Sequence, residues 1–135
     1  MMKVVNMILA TGHFSGRGGH ILRGSFMLER HKEAYFLSTS DDFLFDGAAE
    51  PGFALMSGLP RSSADQALRH MVKAARLGPL APPGRFPYPE ISGARKLAIG
   101  EIRNIAAFDT LVLWDYASSF LLGVGPFSLA KPSTR

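Results

Sequence analysis

Residues 111–125 read LVLWDYASSFLLGVG. Leu111, Val112, Leu113 and the chain's single tryptophan, Trp114, form an apolar run of strand length, and a second such run begins at Phe120. The pattern predicts strands over 110–116 and 120–129. Between them stands an acid, Asp115, and its position needs a reason. Alternation from Leu111 puts Leu113 and Asp115 on one face. If that face is core, the carboxylate is buried and needs a partner, for which Arg23, Arg103 or a histidine are candidates. If the strand ends at water there, no partner is required.

Working outward, the segment HILRGSFMLERHKEAYFLSTS predicts two strands, 21–28 and 34–38, joined by a polar turn over 30–33 as a hairpin. Phe43 and Phe45 alternate on a short strand, Gly47 and Pro51 punctuate a loop, and 53–56 form another strand. Ser63 and Gln66 have capping-box spacing. Ala64, Leu68, Met71, Val72 and Ala75 then recur at helical spacing up to Gly78, which predicts a helix stop. Arg69, Lys73 and Arg76 occupy the opposite, solvated face of this amphipathic helix. LGPLAPPGRFPYP, residues 77–89, reads as a surface connection because its prolines remove backbone donors. Strand structure resumes at KLAIGEIRNI. With 14 glycines and 9 prolines in 135 residues, the chain is expected to be one mainly β domain, residues 1–135: an antiparallel β-sandwich or barrel with one peripheral α-helix.

The chain has no cysteine, which excludes disulfides, thiolate metal ligands and thiol redox chemistry. The formal charge of +4 comes from residues 61–103, with no interleaved aromatic run for stacking bases, so a nucleic-acid partner is disfavoured. Lys3 followed by VVNMILA is like the start of a signal peptide but too short for a complete one, and no apolar run approaches the ~20 residues of a membrane span. The chain is therefore read as soluble.

Taken in order, GHFSGRGGHILRGSF, DDFLFDGAAEPGFAL, RLGPL, FPYPEI, FDTLVLWDY and LLGVGPFSL resemble the electron-transfer DM-thirteen domain, a small β-rich domain of bacterial secreted or membrane-attached proteins, also found beside DOMON domains in animals. The resemblance spans residues 13–129. His20 falls on that family's early histidine, Asp42 and Asp46 on its acidic loop, and Trp114 on its tryptophan. Two departures stand out. The family's cysteine after the tryptophan is replaced by Asp115, and residues 61–76 look like a helix-bearing insertion. A carboxylate cannot do the redox chemistry of a thiol or ligate a soft metal as a thiolate does. The resemblance therefore implies the scaffold without its electron-transfer role, and a location outside the cytoplasm, with a cytoplasmic relative as the alternative.

Other chemistry is weaker in the sequence. His13, His20 and His31 lack the HExxH spacing, so a metal would require one of them to meet Asp42, Asp46 or Asp115 in space. Asp41, Asp42, Asp46 and Glu50 lack the EF-hand pattern and read as turn formers. Gly16, Gly18 and Gly19 beside Arg17 precede a strand rather than a helix, so they form a strand connection and not a Walker or Rossmann loop. No serine lies in GxSxG. The expectation is a non-catalytic binding or accessory module for a small molecule or protein, with no cofactor, its site lined by His20, Asp42, Asp46, Trp114 and Asp115. The alternative is a redox-associated or metal-binding protein holding a divalent metal through carboxylate and histidine ligands.

Overall fold

The computed structural model describes residues 7–58 and 74–130. Its strands are β1 (Met7–His13), β2 (Ser15–Gly16), β3 (Leu22–Arg23), β4 (Ser25–His31), β5 (Ala34–Thr39), β6 (Leu44–Phe45), β7 (Pro51–Met56), β8 (Ala75–Pro79), β9 (Ile91–Ser92), β10 (Lys96–Ile99), β11 (Thr110–Asp115) and β12 (Phe120–Leu129). Eight of them form an antiparallel sheet in the order β10-β5-β4-β1-β12-β11-β7-β8, with β2 added alongside β12. The two ends of this sheet approach each other, and the Gly100 N–H donates to the Leu77 carbonyl at 2.8 Å. The result is a nearly closed barrel. A second sheet, β3-β6-β9, adds Leu22, Phe45 and Ile91 to the same core.

The interior is packed with side chains. Phe43, Phe45 and Phe53 are fully buried with Leu28, Leu37, Leu55, Leu111 and Leu113, each contributing roughly 1.5–3 kcal/mol by leaving water. Phe14 lies against Phe26, Phe43 and Phe53, with ring centroids 4.7, 5.6 and 6.0 Å away. Strands β7 and β11 are buried along their whole length. Alternation explains how. Phe53, Leu55, Leu111 and Leu113 face the barrel interior, while Ala54, Met56, Val112 and Trp114 join Leu121 and Val124 in a second cluster on the other face.

The expected strands over 34–38, 53–56, 110–116 and 120–129 are present with ends shifted by two residues or fewer. The run 21–28 is divided. Gly24, at φ +104°, breaks it into β3, which pairs with β6, and β4, which pairs with β1 and β5. The turn at 30–33 shortens to Lys32 and Glu33, with Lys32 at φ +59°.

Among the described residues there is no α-helix, only a 3-10 turn at Ile105–Ala107. The expected peripheral helix falls mainly on residues 59–73, including Ser63, Gln66, Arg69 and Lys73, which lie outside the described residues. Its carboxyl end is corrected. Ala75, Arg76 and Gly78 belong to β8, paired with β7, and Gly78, at φ +145°, sits beside a register shift rather than stopping a helix. Leu77, 5% exposed, completes the core there. The surface connection expected over 77–89 accordingly starts later, because Leu77, Gly78 and Pro79 are in that strand. Pro79 is its last residue, where a missing donor costs no interior ladder bond.

Gly24 is a position where only glycine fits. A Cβ added there would lie 2.7 Å from Phe43 Cα and 3.0 Å from Phe43 N, both backbone atoms, in a conformation that L residues rarely adopt. We expect Gly24→Ala to cost about 3 kcal/mol. Urea unfolding should show a lower midpoint at unchanged slope; an unshifted midpoint would refute the close approach of the two segments.

Candidate functional site

Asp115 is 6% exposed and is the last residue of β11. Its Oδ1 accepts the N–H of Glu50 and the N–H of Ala117, each at 3.0 Å, and its Oδ2 accepts the Ser118 hydroxyl at 2.8 Å. The bond to Ala117 is an Asx turn that starts the four-residue connection to β12. The bond to Glu50 ties that turn to the segment entering β7, where Tyr116 N–H also donates to the Glu50 carbonyl. The buried carboxylate is thus satisfied by two backbone amides and a hydroxyl, and the cationic partners Arg23, Arg103 and histidine are replaced by these groups.

His20 and Asp46 meet. His20 Nδ1–H donates to Asp46 Oδ1 at 2.9 Å, and Asp46 Oδ2 accepts the Ile21 N–H at 3.1 Å. The Asp46 N–H in turn donates to the Ile21 carbonyl, so the pair stitches the glycine-rich loop to the 46–50 loop. The imidazole lies 6.0 Å, centroid to centroid, from both Phe45 and Phe120. Phe120 is the register partner of Asp115, which puts the His20 pair and the Asp115 turn at one end of the barrel. Asp42 is elsewhere, accepting from the Ser40 hydroxyl in a turn closed by the Phe43 N–H on the Ser40 carbonyl.

Trp114 is 3% exposed in the outer-face cluster with Met56, Val112 and Leu121, on the face opposite to that of Leu113. It adjoins Asp115 in sequence but points away from it. Tyr116 packs on this cluster, its ring passing over Gly52, where a Cβ would come within 2.8 Å of it. The Arg76 guanidinium lies 3.8 Å above the Tyr116 ring. This arginine, expected on a solvated helix face, is a stacking partner. Among the described residues the buried Tyr116 hydroxyl has no hydrogen-bond partner of good geometry. Burial pushes its pKa up, and the nearby Arg76 charge opposes the shift.

A concavity lies on none of these residues. A cleft of about 530 Å³ lies over β12, β1, β4 and β5, lined by Thr11, His13, Ser25, Met27, Ser38 and Ser128 among others. Register places Thr11 between Ser128 and Met27, with Ser38 beyond Met27 and Ser25 opposite His13. Sequence reasoning missed this site. Its signal was the polar pair Thr11 and His13, two apart in LATGH, and Ser128 in PFSL, but adjacency of those segments depends on a pairing of the first and last strands that no local pattern carries.

Among the described residues, no three His, Asp or Glu side chains come together as a metal-holding group, and none of the helices is long and apolar enough to cross a membrane. Comparison with protein-family models, curated proteins and solved structures finds no match to this chain.

Two predictions follow from this geometry. Asp115→Ala strands two amides and should cost about 3 kcal/mol, whereas Asp115→Asn keeps an acceptor oxygen and should cost about 1 kcal/mol, as read by urea unfolding. Equal costs would mean that the carboxylate charge, not the turn, matters. Tyr116 has a folded-state pKa above its unfolded value, so its contribution to stability is complete below about pH 10 and is lost as pH rises through the folded value. Tyr116→Phe should therefore flatten the alkaline fall in stability. An alkaline slope identical to wild type would exclude Tyr116 as its source.

Proposed function

We propose that the chain is a non-catalytic binding module on a scaffold like that of the DM-thirteen domain, with the redox-associated cysteine position converted into a structural turn. The observation that carries this reading is the closure of Asp115. Where the resembling domains place their reactive group, this chain has a buried carboxylate whose two oxygens accept three hydrogen bonds from its own fold. Three of its roughly four lone-pair sites are therefore occupied by bonds that hold the β11–β12 turn, which leaves little of it to offer a ligand. His20 is likewise engaged, with Asp46, and among the described residues no serine hydroxyl is bonded to it as a nucleophile would be. The cleft over β12, β1, β4 and β5 supplies the open surface that binding requires.

Native mass spectrometry of the freshly purified protein tests this reading directly. The folded protein is expected to have the mass of the chain alone, and its thermal midpoint should not respond to chelator. A stoichiometric excess mass that disappears in His20→Ala or Asp46→Asn would overturn the reading in favour of a metal- or cofactor-dependent protein.

A further inference from the structure

We infer that the cleft over β12, β1, β4 and β5 is a site for a short neutral saccharide. This inference rests on the binding-module reading and names its ligand class. The cleft crosses four strands, so its groups stand at the regular spacing of a sheet, roughly 4.8 Å between strands. Across one row these are Ser128, Thr11, Met27 and Ser38. The neighbouring row brings His13 and Ser25 opposite each other.

Three features select the ligand. The first is charge: among the described residues lining the cleft there is no Asp, Glu, Lys or Arg. The nearest acids, Glu29 and Asp42, are held by the lining hydroxyls of Ser38 and Ser40, so an anion entering the cleft would lose hydration with no lining cation to replace it, whereas a neutral molecule pays no such penalty. The second is hydrogen-bonding type. A hydroxyl both donates and accepts, and so does a neutral imidazole through its two nitrogens, which suits a ligand whose own groups are hydroxyls. Thr11, His13 and Ser128 have no side-chain hydrogen bond to another described residue, so they are free to turn to a ligand. Ser38, by contrast, already donates to Glu29 at 2.9 Å. The third is the half-buried Met27 at the middle of the row, a flexible apolar surface for the C–H face of a sugar ring. The volume of about 530 Å³ lies within the range of small-molecule sites.

The test is an amide chemical-shift titration of the isotope-labelled protein, separately with maltotriose, cellotriose, triacetylchitotriose and inorganic phosphate. At least one trisaccharide should move the amides of Thr11, Ser25, Met27 and Ser128 as a group, with phosphate moving none. The double variant Thr11→Val, Ser128→Ala replaces two exposed hydroxyls, and should keep the wild-type unfolding midpoint while weakening that trisaccharide roughly tenfold. Absence of any trisaccharide-dependent shift at the cleft overturns the inference, as does undiminished binding by the double variant. Shifts at the cleft with phosphate alone would overturn the ligand class while leaving the binding-module reading standing. That reading fails separately, through the excess mass described above.

Discussion

Strands β7 and β11 have no solvent-facing side, and the rest of the fold is arranged around that constraint. Each of their twelve side positions is buried, so the pair must be covered on two faces and flanked on two edges. The inner face is covered by the barrel closing on itself. The edges are met by β12 on one side and β8 on the other. Residues 75–79 become a strand rather than a helix end for this reason: β7 at the margin of the sheet would expose a row of unpaired amides and carbonyls beside fully apolar side chains. The pairing of Gly52 with Pro79 and of Leu55 with Ala75 removes that edge.

Asp115 terminates this apolar ribbon. A strand that is buried on both faces cannot simply run into solvent, since the chain must reverse within four residues to bring Phe120 back opposite it. Ser119, at φ +57°, completes the reversal in a conformation uncommon for a residue with a side chain. The carboxylate offsets the difficulty by bonding Ala117 and Ser118 within the turn and Glu50 on the adjoining chain. Electrostatics here serve geometry: the acid is tolerated inside because the turn supplies donors at the place where the ladder stops.

Much of the strand content was legible because apolar alternation is a local signal. LVLW and FALM announce buried strands by their unbroken apolarity, whereas Pro51, which reads as loop punctuation, proves to open β7; HILRGSF with AYFLST announces the segments flanking the Lys32–Glu33 turn. What was not legible depends on partners distant in sequence. Ala75 and Gly78 satisfy a helical pattern in isolation, yet tertiary pairing with β7 decides their state. Of the candidate site, the approach of His20 to Asp46 joins residues 26 apart, and the separation of Asp42 and Trp114 from that pair follows from strand direction and face. The hydroxyl-lined cleft was hidden most completely, since it depends on the pairing of β1 with β12.

β12 shows how one strand can serve two surfaces. Its residues 120–126 pair with β11 and place Leu121 and Val124 in the apolar outer cluster. Its last three residues pair with β1 and place Ser128 beside Thr11 at the cleft. The stretch paired with β11 includes Gly123, Gly125 and Pro126. A Cβ at Gly125 would meet the Phe26 ring at 2.5 Å, so the backbone can come this close to the core only without a side chain. Pro126 then follows at an exposed position. The strand thereby passes from a stretch buried on both faces to one with a polar outer face, without a break in the ladder. Apolar burial on one flank of the barrel supplies rigidity, and the same strand carries that rigidity into the flank where polar side chains remain available. A binding surface built on such a sheet is preorganised, because its hydroxyls are spaced by backbone pairing rather than by loops that must be ordered when a ligand arrives.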